Sequence, residues 1–153
     1  VSGKGGSGYS TVGTDGTTFV SETRRLVTAS TQVVVLFGSV NDVHASVRVL
    51  AGQVTAAVDA VRTVSTSAGI LLVGPSWTRN GPVDSRVIDV SKTVHDVAAV
   101  ENVQFVDPIG QNWFAGRTDV VGGDGVHPTD AGHEVIAARL CPVVTLAIAR
   151  IGP

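Results

Sequence analysis

Short runs of branched apolar residues alternate along this chain with longer stretches in which apolar residues recur every three or four positions. Val33-Val34-Val35-Leu36-Phe37 is a continuous run ended by Gly38. Ile70-Leu71-Leu72-Val73 is ended by Gly74-Pro75, and Val103-Gln104-Phe105-Val106 by Asp107-Pro108. Such runs predict three strands. The first, apolar on both faces, belongs in the middle of a parallel sheet. Between them, residues 44–66 place Val47, Leu50, Val54, Val58, Val61 and Val64 at helical spacing, and 84–99 place Val87, Val90, Val94 and Val97 likewise. A last helix over 130–148, capped by Thr129 or Asp130, carries Val135, Ile136, Leu140, Val144 and Ile148. Segment 19–31 predicts a short helix with Phe19, Leu26 and Val27 inward. Alternating strands and helices imply crossover connections and a parallel sheet with helices on both faces.

The remaining polar, glycine-rich stretches fall just after strands or before the first helix. In an open parallel sheet, ligands bind along the edge where the strands end. That rule predicts a site built from Gly8, Asn41, the 75–78 loop and the 122–128 loop. At 153 residues the chain reads as a single domain over 1–153, without repeats or linkers. An apolar share of 43% against 16% charged suits a packed core and argues against disorder. A net charge of −2 offers no basic field for nucleic acid. The single cysteine, Cys141, excludes an internal disulfide and reads as a core filler. No run of 18 apolar residues predicts a membrane span, and no signal peptide is visible. With no methionine and a glycine-rich start, the chain is expected to be processed or a fragment.

Three segments carry candidate chemistry. In Asp124-Gly125-Val126-His127-Pro128, a carboxylate three residues before an imidazole on one tight loop can accept a ring N–H. That bond fixes the tautomer and leaves the other nitrogen as a base. A capping Asp beside an exposed loop His is the commoner explanation of a bare DxxH; the flanking Pro128, Thr129, Asp130 and Gly132 and the position after the last strand favour the chemical one. Gly38-Ser39-Val40-Asn41-Asp42 follows the first strand; its Asn can aim an amide at a developing oxyanion while Asp42 braces the turn. Gly6-Ser7-Gly8-Tyr9-Ser10 offers backbone N–H groups for close approach to a ligand. The alternatives there are an ordinary Asn-Asp turn and a flexible glycine loop.

Taken together and in this order, the three segments resemble the SGNH (GDSL-like) hydrolase superfamily. The resemblance runs from about residue 3 to 149. It implies a flavodoxin-like, three-layer α/β/α sandwich and a serine ester hydrolase acting through an acyl-serine intermediate, without cofactor or metal. Gly8 matches the family's lone glycine, Asn41 the asparagine of its GxND block, and Asp124 with His127 its DxxHP pair. His127 would then be the base, Asp124 its orienter, and Asn41 and Gly8 oxyanion donors, with Ser76 and Trp77 lining the substrate pocket. The Asn block, Gly-Ser-Val-Asn-Asp, is one residue longer than the usual form. The larger departure is that no Gly-Asp-Ser occurs anywhere in the chain. Ser7, Ser10, Ser39 and Ser76 lie near the expected edge, but none has the strand-to-helix turn that presents a nucleophile. The expectation is that the first strand and the serine come from an upstream segment or a second chain. The implied substrate is a small-molecule, carbohydrate or lipid ester.

The same residues admit three other readings. Asp124, His127, Asp130 and His133 recur at ligand-like spacing, yet Asp130 reads as a helix cap and His133 as an exposed first-turn residue, so no metal is expected. A non-catalytic SGNH-like module binding carbohydrate or ester ligands within a larger assembly is the main alternative. Dinucleotide binding through Gly3–Gly8 ranks last, because no strand precedes that glycine pattern. His44, His95 and the Arg24-Arg25 pair are expected to face solvent.

Overall fold

The computed structural model describes residues 2–78 and 81–151. Its elements run α1 (Phe19–Leu26), β1 (Val33–Phe37), a 3-10 turn (Val40–His44), α2 (Val47–Val64), β2 (Gly69–Val73), α3 (Ser85–Val100), β3 (Gln104–Val106) and α4 (Asp130–Ile151). The strands form one parallel sheet in the order β1-β2-β3, with α2 and α3 as crossovers. Val33 pairs with Gly69 through to Phe37 with Val73, and Leu71 pairs with Gln104 through to Val73 with Val106.

The period-2 alternation of the strands divides the core in two. Leu36 and Leu72, with Val34, Ile70 and Phe105, pack against α1, α2 and α3. Leu71, Val73 and Val106, with Phe37, face α4 and the buried Trp113, Phe114 and Val120 of the loop after β3. The result is a helix–sheet–helix sandwich. On α2 the residues Val54, Val58 and Val61 are fully buried, each contributing about 1.5–3 kcal/mol by removal from water. That packing overrides the weak helix propensity of valine. Helix starts are set by side chains that take up first-turn N–H groups. Thr18 and Ser21 form a reciprocal capping box on α1, Ser46 accepts from Val49 N on α2, and Asp84 accepts from Arg86 N on α3. Thr129 serves α4 in the same way, its hydroxyl accepting from Gly132 N at 3.2 Å.

Several expectations are corrected. Leu26, Val47, Val64 and Ile148 are exposed by 41%, 62%, 40% and 46%. Leu26, Val47 and Val64 are end residues of their helices, and Ile148 lies off the stripe of α4 that sets Ala147 and Ile151 against Gly69. The first helix stops at Leu26, where Val27 turns extended, and His44, expected to open the second helix, ends the 3-10 turn instead, with α2 beginning at Val47. Cys141 is exposed, because it lies one residue, about 100° around the helix, past the inward-facing Leu140. Most consequential is β1. Among the described residues it pairs with β2 on one side alone and is an edge strand, not a central one. Gly69 N donates to Gln32 O and Gly38 N to Val73 O. The alternation of a parallel ladder therefore turns the N–H and C=O groups of Val33, Val35 and Phe37 away from β2, toward open space.

Candidate active site

All three strands end on one side of the molecule, and the loops leaving them carry the residues with chemical potential. The loop before α4 is closed by an isolated bridge between Val121 and Pro128 and by Gly122 N donating to His127 O at 2.8 Å. Gly125, at φ 69°, makes the left-handed turn that a side chain would strain. Within it, Asp124 Oδ1 accepts from the backbone N–H groups of Val126 and His127 at 2.9 and 3.0 Å, while Oδ2 lies 2.6 Å from His127 Nδ1. A carboxylate can only accept, so Nδ1 carries the proton and Nε2 is left as a base. The His127 ring and these two backbone N–H groups hold the Asp124 carboxyl well below the usual carboxylate range. The imidazole itself projects into solvent, with 81% of the side chain exposed.

The second half of the site is a clamp between the turn after β1 and the glycine loop before α1. Ser39 Oγ accepts from Asn41 N and donates to Ser7 O. Asn41 Nδ2 also donates to Ser7 O, at 3.0 Å, which occupies one of its two hydrogens. Asp42 is fully buried. Its Oδ2 accepts from Tyr9 N at 2.9 Å, and its Oδ1 from Ser10 N, Ser10 Oγ and Thr11 N at 3.0, 2.7 and 3.0 Å. Thr11 Oγ1 closes the clamp by donating to Asn41 O. Gly8 sits hard against the carboxylate: a Cβ there would lie 2.6 Å from the Asp42 carboxyl carbon. Its own N–H donates to Thr11 O at 2.9 Å. Beneath them Tyr9 is completely buried, and burial, reinforced by the Asp42 charge, pushes its hydroxyl pKa up.

One groove of about 1360 Å³ joins these parts. Asn41, Ser39 and Ser7 line it together with His127, Ser76 and Trp77, and it runs down the whole outer edge of β1 from Phe37 to Val33. Gly8 and Asp124 are not among its lining residues. Of the aromatic residues, Tyr9, Trp113 and Phe114 are core, leaving Trp77 as the one of these four that meets the groove. No serine hydroxyl is hydrogen-bonded to His127 among the described residues. Ser10 Oγ and Ser39 Oγ donate to Asp42 and Ser7 O instead, and Ser7 is buried. No group of three metal-ligating side chains converges among the described residues, nor is any described helix long and apolar enough to cross a membrane. His44 and His95 are exposed, and Arg25 pairs with Glu22.

Two residues near the predicted motifs make contacts that the sequence reading did not assign. Thr78 Oγ1 donates to Val126 O at 3.2 Å and contacts Gly125 O at 3.4 Å, tying the loop after β2 to the His127 loop. Gly132 lets the first turn of α4 pack directly on the Val120 carbonyl. Neither has a signal beyond its position near a motif.

The profile of the GDSL-like lipase/acylhydrolase family matches residues 2–135. The chain belongs to that family. A GDSL lipase of Mycobacterium tuberculosis is 33% identical over 151 residues, covering 97% of this chain and 65% of the lipase. The chain thus spans just under two thirds of that relative's length. Among solved structures, a carbohydrate esterase family 3 protein from Talaromyces cellulolyticus superposes with a TM-score of 0.65 at 16% identity, over 86% of this chain and 64% of that one. An acetyl xylan esterase from Geobacillus stearothermophilus gives 0.55 at 21% identity, over 71% and 58%. A lipase/acylhydrolase from Enterococcus faecalis gives 0.57 at 19%, over 71% and 60%. These three solved structures share the α/β fold, and the SGNH resemblance read from the motifs is a family relationship.

Proposed function

We propose that this GDSL-like chain is the acid–base and oxyanion-binding part of a serine ester hydrolase whose nucleophile is delivered by a segment outside the 153 residues. The observation that carries this reading is the Asp124–His127 pair. Its Nε2 is available beside a groove that also holds Asn41, while no described serine is hydrogen-bonded to it. The open edge of β1 forms the wall of the same groove, so an extended segment paired along that edge would end near His127. Residues 1–153 are then one domain whose sheet is completed by that strand.

In the proposed reaction His127 Nε2 takes the hydroxyl proton as the serine oxygen attacks the ester carbonyl carbon. Asp124 stabilises the imidazolium. The carbonyl oxygen, now negative, accepts from the second hydrogen of Asn41 Nδ2; the Gly8 N–H joins once it releases Thr11 O. Collapse breaks the C–O bond to the alcohol, which leaves with the His127 proton, and water then releases the acid by the same steps in reverse roles. Ser76 and Trp77 line the substrate end. An acetylated sugar or a short acyl ester is the substrate class in view, by likeness to the esterases above and because Trp77 offers a flat apolar face.

The runner-up is a non-catalytic module that binds carbohydrate or ester groups. One observation favours it: the Gly8 N–H and one Asn41 hydrogen are already satisfied within the chain. Labelling by a fluorophosphonate and hydrolysis of p-nitrophenyl acetate separate the two readings. They would be measured on the chain alone and on the chain fused to a strand ending in Gly-Asp-Ser. The enzyme reading expects an inert chain, an active fusion, and loss of hydrolysis with His127→Ala. Labelling of the chain alone would place the nucleophile within it. A fusion that stays unlabelled yet binds acetylated sugar would favour the module.

A further inference from the structure

The one fully buried carboxylate among the described residues has no part in the reaction just described. Asp42 has no cation beside it among the described residues; its charge is held by four hydrogen bonds, three of them from consecutive backbone N–H groups, Tyr9, Ser10 and Thr11. Those partners lie 31–33 residues away in the chain, so the bonds join two segments that nothing local would bring together. A buried charge that lost such partners would carry its desolvation penalty uncompensated. The carboxylate therefore has a single stable placement, which also requires the missing Cβ of Gly8.

Asn41 is the next residue in the chain, and its backbone and side chain are both tied to the loop that Asp42 grips. Its carbonyl accepts from Thr11 Oγ1 at 2.8 Å and its amide donates to Ser7 O at 3.0 Å. Thr11 is the last residue of the gripped Tyr9–Thr11 segment and Ser7 lies two residues before it. We propose that Asp42 is a positioning residue, clamping the Ser7–Thr11 loop onto the 3-10 turn so that the Asn41 amide presents its second hydrogen to the groove. The proposal rests on the esterase reading for the purpose of that hydrogen, and on the hydrogen bonds above for the clamp itself. It goes beyond turn bracing: the orientation of one amide is set by a carboxylate that never meets the substrate.

Asp42→Asn keeps the shape, removes the charge, and puts an NH2 or a weaker carbonyl opposite donors. NMR of the chain as it stands reads the clamp without any nucleophile. In the wild type, the Asn41 side-chain amide is expected to show one hydrogen-bonded, slowly exchanging proton, and the Tyr9, Ser10 and Thr11 amides to be protected from exchange. In Asp42→Asn the expected result is that protection of all three falls at least about tenfold and the Asn41 proton exchanges like a solvated one, as for loss of charge-assisted bonds. Ser10→Ala removes one of the four bonds at a half-buried position and is expected to shift the same signals less. It decides the matter if Asp42→Asn does not fold.

In the Gly-Asp-Ser fusion, Asp42→Asn is expected to lower kcat by about 10- to 100-fold with KM unchanged, less than the roughly 100- to 1,000-fold for removing an oxyanion donor outright by Asn41→Ala. Because Asp42 acts through Asn41, the double variant is expected to be no slower than Asn41→Ala alone. An Asn41 amide signal that is unmoved in Asp42→Asn and Ser10→Ala, or kcat losses that multiply in the double variant, would overturn the proposal. A wild-type fusion that hydrolyses nothing while the NMR signature responds would sink the esterase reading and leave the clamp standing.

Discussion

The same substitution, glycine to alanine inside a helix, should have opposite signs at Gly52 and Gly132. Gly52 is exposed on α2, and a Cβ built there meets nothing within 4 Å. Only the helix preference for alanine acts, worth up to about 1 kcal/mol in favour of the variant. Gly132 lies in the first turn of α4, where a Cβ would press into the Val120 carbonyl oxygen and come within 2.8 Å of Pro128 Cβ. That carbonyl is backbone and already accepts from Thr129 N at 3.1 Å, so it cannot rotate away. Overpacking of this kind costs about 1–3 kcal/mol, and straining the Thr129 bond adds about 1 kcal/mol. Helix preference returns at most about 1 kcal/mol. The net is a loss of about 1–3 kcal/mol. For a chain of this length each kcal/mol moves Tm by roughly 2–4 °C. Gly132→Ala should therefore melt about 2–12 °C below the wild type and Gly52→Ala up to about 4 °C above it, followed by circular dichroism. A Gly132→Ala protein as stable as the wild type would refute the reasoning, since the α4 start would then have room that the contact denies.

Other outcomes follow from the site. The depressed Asp124 carboxyl is a contribution present above its unfolded value near ~3.9 and lost as pH falls through its lower folded value. Its carboxyl 13C signal should thus stay unprotonated between pH 5 and 3, and an ordinary midpoint near 4 would show that the His127 bond does not form. Glu22, held down to about 2 first by Arg25 and then by Ser2, has the same sign and should likewise not titrate above pH 3. Thr78→Val removes the tie to Gly125 O and Val126 O. It should raise the exchange rate of the Val126 and His127 amides, with Thr78→Ser restoring it; equal rates in all three proteins would show that the tie is idle. Val35→Pro, placed where a backbone N–H faces the open edge, should leave the fold of the chain intact but abolish activity of the Gly-Asp-Ser fusion. Full activity would mean that no strand pairs there.

Where the sequence reading succeeded, local pattern and tertiary packing agreed. Val54, Val58 and Val61 lie inward because a three-to-four spacing on α2 leaves no other face for them. The Asp124–His127 bond was legible because two complementary groups three residues apart on a tight loop have few other ways to meet. What failed was information that lives between distant segments. A run such as Val33–Phe37 says that both faces are apolar, but nothing in it says which neighbours are present, so its edge position was hidden. Cys141 misled because a helix rich in apolar residues does not announce which stripe the sheet will take. The reach of Asp42 across more than thirty residues to Tyr9–Thr11, and the contact of Gly132 with Val120, have no local pattern at all.

The unpaired side of β1 has a consequence for the life of the protein in a cell. A flat ladder edge of Val-Val-Val-Leu-Phe is a template on which other chains can stack. A strand that completed the chemistry would also cover that template, so solubility and activity would rise together. Molecules lacking the partner strand would then be lost to aggregation or proteolysis rather than persist as idle enzyme. The soluble pool would be self-purging, with the fraction of competent molecules near one even when synthesis is faulty. Titrating active sites in the soluble and pelleted fractions of an expressing cell would show whether the two properties are coupled in this way.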